Sequence, residues 1–343
     1  MKEAMLYEKL PDGKVRCGLC AHRCLILPGR RGLCQVRENH GGTLESLVYG
    51  RLVARHADPI EKKPLFHFHP GSVAYSVATA GCNLRCRWCQ NWEISQMPRE
   101  QGAIRGETVS PEQCVAAARS CGARSIAYTY TEPTVFFEYS YDVARLARAA
   151  GLANVYVTNG YMTPAMLDAM HPFLDAANVD LKTFRDATYK TCTGARLEPI
   201  LDNLRHMKRL GVWVEVTTLL VPGVNDEPAE LREAAAFLAR DLGTETPWHL
   251  SRFFPMYRLH DRPPTPAATL ETAREIGLQA GLKYVYLGNM RSRAGEETPC
   301  PGCGKPLIER HGFTVLINRV RHGRCPHCGV AVAGVGLDAA TDR

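Results

Sequence analysis

The sequence predicts an α/β protein in which parallel strands alternate with helices. From residue 73 to residue 288, short runs of β-branched or aromatic residues alternate with longer segments of helical period. Strands separated by helices and repeated six or seven times are typical of parallel βαβ units. The chain has 343 residues, of which 45% are hydrophobic and 22% charged. It is therefore long enough, and ordinary enough in composition, to bury one large core.

The order of these segments defines the individual elements. The predicted strands cover residues 73–78, 125–130, 155–158, 178–181, 213–219 and 248–253, with a possible seventh strand at 284–287. Segments of helical period lie between them, at residues 111–120, 135–150, 197–210, 228–238 and 268–280. Polar residues gather just past the strand ends, at Cys82, Glu132, Asn159, Lys182 and Thr218. A β/α barrel keeps its functional residues at that end, so this distribution favours a TIM-like barrel over a doubly wound sheet.

The cysteines indicate metal sites instead of disulfides. Most of the 14 cysteines fall into three tight groups, at positions 17/20/24/34, 82/86/89 and 300/303/325/328. The N-terminus lacks the apolar segment of a signal peptide, and no apolar run approaches the length of a membrane span. We therefore expect a cytoplasmic protein in a reducing compartment. The net charge of +7 is modest and fits a solvated surface, so nucleic-acid binding is not expected.

Composition divides the chain into three predicted parts. Residues 1–72 combine a cysteine group with many glycines and arginines, and we interpret them as a four-cysteine metal module followed by a strand or two at 43–54 and an ordered strap. Residues 73–297 hold the α/β pattern. Residues 298–343 form a second cysteine appendage that ends in an Ala/Gly/Asp-rich tail, which predicts mobility.

The central cysteine group carries the chemistry. Cys82, Cys86 and Cys89 form a C-x3-C-x2-C array in which Trp88 precedes the last cysteine. Three thiolates can hold three corners of a cubane iron–sulfur cluster, and clusters that only transfer electrons normally have four cysteine ligands. The open corner therefore indicates a bound ligand, whereas a zinc site would need a fourth protein ligand. This array resembles the radical S-adenosylmethionine (SAM) superfamily.

The resemblance implies a 4Fe–4S cluster that chelates SAM, cleaves it to a 5′-deoxyadenosyl radical and sits on a partial, six-stranded (β/α)6 barrel. Tyr130, Thr131 and Glu132 occupy the position of the family's Gly-Gly-Glu motif, which binds the amino group of the methionine moiety. Both glycines are replaced here, which leaves the backbone contacts open. Glu132 suits a bound ammonium, or alternatively it caps the following helix. Trp88 would pack near the adenine.

The later strands supply the remaining candidate residues. Thr158 and Asn159 would contact the ribose or carboxylate of SAM, with Asp180 and Thr218 as further cofactor contacts. The candidates for catalysis are Lys182, Glu215 and His249. Asp180 and Lys182 share one face of their strand and are expected to pair inside the barrel, either for function or for structure. A lone histidine such as His249 is more often a core residue.

Both terminal cysteine groups predict metal sites. Cys300, Cys303, Cys325 and Cys328 form two Cys-Pro-x-Cys-Gly knuckles, which is a strong signal for a zinc ribbon. Cys17, Cys20, Cys24 and Cys34 suit either structural zinc or a second 4Fe–4S cluster, and zinc is the default.

One family matches nearly the whole chain. The opening cysteine group, the strap from Asp58 to Phe68, the cluster loop and the terminal knuckles resemble the radical enzyme of the AmmeMemoRadiSam system. That family is similar to the activating enzymes of pyruvate formate-lyase. The resemblance implies AMMECR-type and Memo-type companions and a reductant such as flavodoxin or ferredoxin. It also implies a strap against the barrel mouth, with His67 or His69 near the cluster.

The residues leave the substrate open. A glycine of a partner protein would need an open barrel mouth, whereas a small molecule would need a lid, which the strap is able to supply. A metal-handling or nucleic-acid adaptor that uses the two terminal four-cysteine modules is the alternative from another class. An adaptor has no use for the open-corner triplet Cys82, Cys86 and Cys89 beside Glu132, so we favour a radical enzyme.

Overall fold

The structure is a computed structural model that describes residues 1–290 and 292–338. Its N-terminal module consists of two small antiparallel sheets, in the strand orders β1-β6-β5 and β2-β3-β4. These six strands are β1 (Lys2–Glu3), β2 (Tyr7–Lys9), β3 (Val15–Cys17), β4 (Leu25–Ile26), β5 (Arg37–His40) and β6 (Thr43–Ser46).

A nine-stranded sheet forms the centre of the molecule. Its strands are β7 (Arg51–Pro59), β8 (Val73–Thr79), β9 (Glu107–Thr108), β10 (Ser125–Tyr128), β11 (Ala153–Thr158), β12 (Ala176–Asp180), β13 (Trp213–Leu220), β14 (Trp248–Arg252) and β15 (Val285–Gly288). Their order is β15-β14-β13-β12-β11-β10-β8-β7-β9. The seven strands from β8 through β15, β9 excepted, are parallel and follow chain order. The expected parallel sheet and its possible seventh strand are confirmed.

Ten helices connect the strands in the described residues. They are α1 (Trp92–Ser95), α2 (Met97–Glu100), α3 (Pro111–Ser120), α4 (Phe137–Ala149), α5 (Pro164–Met170), α6 (Asp186–Thr193), α7 (Glu198–Arg209), α8 (Pro228–Phe237), α9 (Ala267–Gln279) and α10 (Arg293–Glu296). Because neighbouring strands are consecutive and such crossovers are right-handed, the long helices cover one face of the sheet. The opposite face of the sheet is therefore free of these long helices. None of these helices has both the length and the apolarity needed to cross a lipid bilayer.

The helices that the sequence missed are short. α5 begins after Thr163, whose side chain accepts a hydrogen bond from the amide of Met166. That capping residue was a usable signal, but a helix of 7 residues, about two turns, is too short to show a clear period. α6 also lies outside the predicted helical segments; it ends at Gly194, which has a φ of 80° and terminates the helix in the left-handed conformation.

The strap from Asp58 to Phe68 closes the opposite end of the sheet from the one expected. β7 runs antiparallel to β8, so Pro59 pairs with Val73 at the amino end of the parallel strands. Ile60, Leu65 and Phe68 then pack with Ala74, Ala127, Val155 and Ala176, which lie near the strand starts. The prediction that the strap covers the barrel mouth is wrong, because its direction is set by β7, which continues beyond the predicted strand segment 43–54 to Pro59 and pairs with β8. The sheet also extends across the predicted boundary at residue 73.

Glu215 holds the strap in this position. Its carboxylate is fully buried and accepts hydrogen bonds from the backbone amides of Phe66 (3.0 Å) and His67 (2.8 Å). It also accepts from Trp213 Nε1 at 3.1 Å and from His249 Nε2 at 2.7 Å. Burial works against the charge, but the hydrogen bond from His249 holds the pKa of Glu215 below its ordinary value. Four donors satisfy the carboxylate completely, as a buried charge requires.

The C-terminal appendage completes this seal. Its sheet consists of β16 (Thr298–Pro299), β17 (Pro306–His311) and β18 (Thr314–Asn318). Arg310 is fully buried, donates to the carbonyl of Phe66 at 2.8 Å and lies 3.6 Å from Glu61 of the strap. A buried ion pair of this kind fixes one element against another, because either charge left alone would be costly.

The described part of the tail packs beside the strap. The amide of Val335 donates to the carbonyl of His67, the amide of His69 donates to the carbonyl of Val335, and Leu337 is buried. These contacts hold the tail against the strap as far as Leu337, and the mobility of the tail stays a prediction. The tail composition did not show them because they are made with a segment more than 260 residues earlier. The end of the predicted tail, residues 339–343, lies outside the described residues.

Acidification is expected to weaken the seal through His67. Burial lowers the pKa of this imidazole to about 4, whereas an unfolded histidine titrates near 6.5. Between those values the unfolded chain binds a proton that the folded chain does not bind, so the free energy of unfolding falls as the pH falls. Linkage gives a loss of about 2 kcal/mol between pH 7 and pH 5.

The check is the urea midpoint of the metal-loaded protein at pH 7 and pH 5, measured without oxygen. The His67→Gln variant should lose less stability on acidification than the wild type. The same substitution at the exposed His260 should leave the wild-type pH dependence in place. Equal losses in all three proteins would contradict the assignment.

Candidate active site

A large cavity opens where the parallel strands end. Its volume is about 410 Å³. The walls come from the carboxyl ends of β10 to β14 and from the cluster loop, while Lys62, Lys63 and Pro64 of the strap form its floor. Phe313, at the tip of the β17–β18 hairpin, lines it as well. The cavity therefore joins the cysteine loop, the strand ends and the strap in one space.

The cluster loop follows β8 directly. Gly81 has a φ of 99°, and a Cβ at this position would lie 2.6 Å from Val36 Cγ1. Only glycine makes this turn without strain. The turn brings Cys82, Cys86 and Cys89 to the cavity wall.

The loop fits an iron–sulfur cluster better than a bare metal ion. Cys82 Sγ accepts from the amide of Leu84 at 3.4 Å, and Asn159 Nδ2 lies 3.8 Å from the same sulfur. Burial raises the pKa of Cys86 to about 12, so this thiol ionises only when a metal binds it. In the described residues, the three sulfurs are not all within 4.8 Å of one another, as ligands of a single zinc ion would be. A cubane accommodates the wider spacing, because its iron and sulfide atoms lie between the cysteines.

Glu132 joins the ends of two strands. Its Oε1 accepts from Thr134 N (3.1 Å), Thr134 Oγ1 (2.6 Å) and Thr158 Oγ1 (2.8 Å), and its Oε2 accepts from the amide of Asn159 at 2.8 Å. Glu132 thus caps the helical turn Pro133–Phe136, as the alternative from sequence stated. Burial raises the pKa of Glu132, and the hydrogen bonds from its neighbours oppose the rise. It also lines the cavity, and its Oε2, which accepts only one hydrogen bond, has an acceptor site left.

Tyr130 turns toward the floor of the cavity. Its backbone has a φ of 62°, a conformation that costs energy for a bulky residue and is found mostly at functional positions. The hydroxyl donates to Asp58, which also accepts from Lys63 Nζ at 2.7 Å. Burial lowers the pKa of Lys63 to about 8, despite the pairing with Asp58. The Tyr130 backbone carbonyl accepts from Asn91 Nδ2 at 2.8 Å, which ties it to the cluster loop.

Asp180 and Lys182 meet in the cavity as an ion pair. Their charged atoms, Oδ2 and Nζ, are 2.9 Å apart. Burial alone would lower the pKa of Lys182, but Asp180 raises it above the ordinary value, so the ammonium stays charged. Trp88 is buried beside them and packs on Val221 and Phe253.

Several predicted site residues do not reach the cavity. Glu215 and His249 lie under the strap and bind it, so neither is available to a substrate. Glu215 shares a strand face with Thr217, but Thr217 lines the cavity while Glu215 lies two residues deeper. Thr218 points to the other face, where its hydroxyl donates to Leu181 O at 2.9 Å.

The predicted histidines also lie elsewhere. His67 Nδ1 lies 2.7 Å from the carbonyl of Ala333, and its Nε2 lies 2.6 Å from the hydroxyl of Tyr286. His69 packs against the tail at Val335. Neither lines the cavity, because the strap places both at the amino end of the sheet.

Other residues that line the cavity were not predicted from the sequence. Ser251 lies near the carboxyl end of β14 and Asn289 directly follows β15, and this position at the strand ends was the available signal. Lys63 and Phe313 had none, because each reaches the cavity through an element whose docking is not local. Ser95 lies 3.3 Å from Cys89 Sγ and adds a polar contact to the cluster loop.

The C-terminal cysteines form a compact metal site. Cys300 Sγ lies 3.5 Å from Cys328 Sγ, and Cys303 Sγ lies 3.8 Å from Cys325 Sγ. All four sulfurs are within 4.8 Å of one another. The amides of Gly302 and Cys303 donate to Cys300 Sγ, each at 3.4 Å, which stabilises a thiolate. The group therefore has the size and donors for a single tetrahedral ion.

The fold and the site define a metal-dependent α/β enzyme, and comparison with known proteins identifies its family. The model of the Radical SAM superfamily matches residues 76–235. An uncharacterized protein of Methanocaldococcus jannaschii is 48% identical over 331 residues, which span 96% of this chain and 98% of that protein. The isethionate sulfite-lyase activating enzyme of Nitratidesulfovibrio vulgaris is 25% identical over 53% of this chain and 80% of its own length.

A solved structure shows the same fold. A radical SAM methyltransferase from Sphaerobacter thermophilus matches with a TM-score of 0.50 and 17% identity, over 70% of this chain and 71% of that one. The chain belongs to the Radical SAM superfamily and is similar to its activating enzymes. It is therefore an enzyme whose family uses a 4Fe–4S cluster and SAM for radical chemistry, and the adaptor alternative from sequence is not supported.

Replacing Glu132 is expected to destabilise the strand ends. In Glu132→Gln an amide N–H group faces at least one of the donors from Thr134, Thr158 and Asn159. A buried donor left without an acceptor costs about 1–3 kcal/mol, so the urea midpoint should fall. Thr158→Val removes one donor and should cost less. The matched control is Glu93→Gln, because Glu93 is exposed; a midpoint for Glu132→Gln equal to that of this control would contradict the account.

Proposed function

We propose that this protein is an activase-like radical SAM enzyme that cleaves SAM in the cavity described above and abstracts a hydrogen atom from a substrate. The observation that carries the proposal is the single space of about 410 Å³ that joins the cysteine loop to the strand ends. Cys82, Cys86 and Cys89 would hold the cluster. When bound, the cluster and SAM supply a 5′-deoxyadenosyl radical.

The side chains of the cavity would orient the cofactor. Thr158 and Asn159 stand between Glu132 and the cluster loop and would contact the ribose or carboxylate of SAM. Asp180 presents a carboxylate beside Lys182, and Trp88 supports the loop from below. Because Oε1 of Glu132 accepts three hydrogen bonds and Oε2 accepts one, we propose that Glu132 fixes the ends of β10 and β11 and keeps one acceptor site of Oε2 for the SAM ammonium, which the carbonyls near Tyr130 and Thr131 also meet. Lys182 is the remaining candidate for substrate contact.

The same proposal extends to the architecture. We infer that the parallel strands curl around the cavity as a partial barrel within residues 73–297. Within residues 1–72, the strap would support that barrel at its amino end together with the appendage of residues 298–343, while the cysteine module would support the cluster loop at the carboxyl end. The C-terminal cysteines would hold zinc, which the sulfur separations of 3.5 and 3.8 Å support.

The position of the strap favours a segment of a partner protein as the substrate. A small-molecule substrate was expected to need the strap as a lid, but the strap lies at the floor, where Lys62 and Lys63 line the cavity. The mouth is therefore free for an extended segment, and a glycine of a partner is the substrate class of the activating enzymes that the chain resembles. We further propose that the protein works in the cytoplasm with AMMECR-type and Memo-type proteins as companions. A flavodoxin or ferredoxin would be its reductant.

The first test is SAM cleavage. Protein reconstituted with iron and sulfide without oxygen, then reduced with dithionite, should convert SAM to 5′-deoxyadenosine, measured by mass spectrometry. The Cys86→Ala variant should produce none, because two cysteines do not hold the cluster. Equal amounts from both proteins would contradict the assignment of the cluster to this loop. No product from a wild-type protein with a full cluster, even with candidate partners added, would contradict the function.

A further inference from the structure

The N-terminal cysteines enclose a cavity. Cys17, Cys20, Cys24 and Cys34 line one space, and the remaining lining is mostly apolar, with Leu19, Ile26, Leu33 and Val135 among it. The space offers about 20 Å³ to the centre of a water-sized sphere, which exceeds the roughly 10–15 Å³ that one water requires. Four thiols that surround a void of this size have room for more than one atom.

The spacing of these sulfurs differs from that of the C-terminal site. A zinc ion holds its cysteine sulfurs about 2.3 Å away, and therefore within about 4 Å of one another. The C-terminal sulfurs all lie within 4.8 Å of one another, with two pairs at 3.5 and 3.8 Å, whereas the four N-terminal cysteines, all in the described part of the chain, do not form a group within 4.8 Å. They share the wider spacing of the cluster loop. The default prediction of zinc at this site is therefore not the one that the geometry favours.

A buried arginine also points to an anionic occupant. Arg37 lines the cavity and is 2% exposed. Its Nη2 donates to Glu138, but its Nε and Nη1 are buried and have no hydrogen-bond partner. Unpaired buried donors are costly, so a bound group with acceptor atoms is expected beside them. Bridging sulfides and cysteine thiolates of an iron–sulfur cluster are such acceptors, and hydrogen bonds to them tune its potential.

We propose that Cys17, Cys20, Cys24 and Cys34 hold a second 4Fe–4S cluster, with Arg37 as the hydrogen-bond donor to its sulfur atoms. Four cysteine ligands leave no open iron, so this cluster transfers electrons and does not bind SAM. The presence of this cluster does not depend on the proposed radical chemistry.

The second cluster would lie directly behind the first. His22 Nε2 is 2.9 Å from the carbonyl of Asn83, which adjoins Cys82. A Cβ on Gly81 would lie 3.3 Å from the carbonyl of Cys34. Thr134 lines the N-terminal cavity while its hydroxyl donates to Glu132, which lines the active site. Three separate contacts thus connect the two sites.

This proximity gives the cluster a role that rests on the proposed function. A one-electron carrier protein of the ferredoxin or flavodoxin class reduces the N-terminal cluster from the 2+ to the 1+ state. The cluster then returns to 2+ as its electron passes to the cluster of Cys82, Cys86 and Cys89. The outer surface of the module exposes Leu25 and Leu33 beside Arg23 and Arg30, which suits an acidic carrier.

The identity of the cluster is tested in the triple variant Cys82→Ala/Cys86→Ala/Cys89→Ala, which has no ligands for the first cluster. After reconstitution without oxygen it should retain about four iron and four sulfide atoms and about one zinc per chain. Reduction should give an electron paramagnetic resonance signal. Adding Cys17→Ser and Cys24→Ser should remove the iron and leave the zinc, which also reports that the fold persists. About two zinc atoms and no iron in the triple variant would overturn the proposal.

The role of Arg37 as a hydrogen-bond donor is tested by measuring the reduction potential of the N-terminal cluster. Arg37→Lys keeps a charge for Glu138 but loses the two free N–H groups, so the potential of the remaining cluster should become more negative. An unchanged potential would overturn the role of Arg37.

The electron route is tested in Cys24→Ser with an intact first cluster. It should form 5′-deoxyadenosine with dithionite but lose most of that activity with reduced flavodoxin. Wild-type rates with flavodoxin would overturn the route, whereas absence of product from wild-type protein with either donor would instead overturn the proposed function.

Discussion

The fully buried carboxylate of Glu215 is the constraint on which the rest of the structure depends. It stands inside the sheet at the amino end, where an ionised group is tolerated only if all of its acceptor sites are filled. The backbone amides of Phe66 and His67 fill two of them. The strap must therefore enter the sheet interior at this end, and β7 must pair with β8 to bring it there. The appendage follows, because Arg310 and the tail bind the strap in turn.

A second buried carboxylate performs the corresponding task at the other end. Glu132 also accepts four hydrogen bonds, and it joins β10, β11 and the following helical turn. The difference lies in what covers each group. Glu215 is sealed by backbone and aromatic rings, whereas Glu132 borders an open cavity. One end of the sheet is thus closed for stability and the other kept open for chemistry, as in barrel enzymes generally.

The three cysteine groups differ in the volume that they enclose. The C-terminal sulfurs meet in a compact tetrahedron, while the other two groups stand apart around a space. Size therefore distinguishes a single ion from a cluster where the count of ligands does not, since four cysteines suit both. The adjacency of the two wide sites also explains why the N-terminal module packs on the cluster loop at Gly81, where any larger residue would collide with Val36.

The sequence by itself determined the parallel α/β order, the bounds of most strands and long helices, and the grouping of the cysteines, because these depend on periodicity and spacing over short stretches. It also placed Glu132, Asn159 and Lys182 at the cavity, since parallel strands end at one edge. Only the tertiary structure decided that Glu215, His249 and His67 seal the floor, and that Lys63 and Phe313 reach the site. Their positions are set by pairing between segments far apart in the chain, such as Arg310 with Phe66. Sulfur separations, and with them the choice between ion and cluster, likewise exist only once the chain has folded.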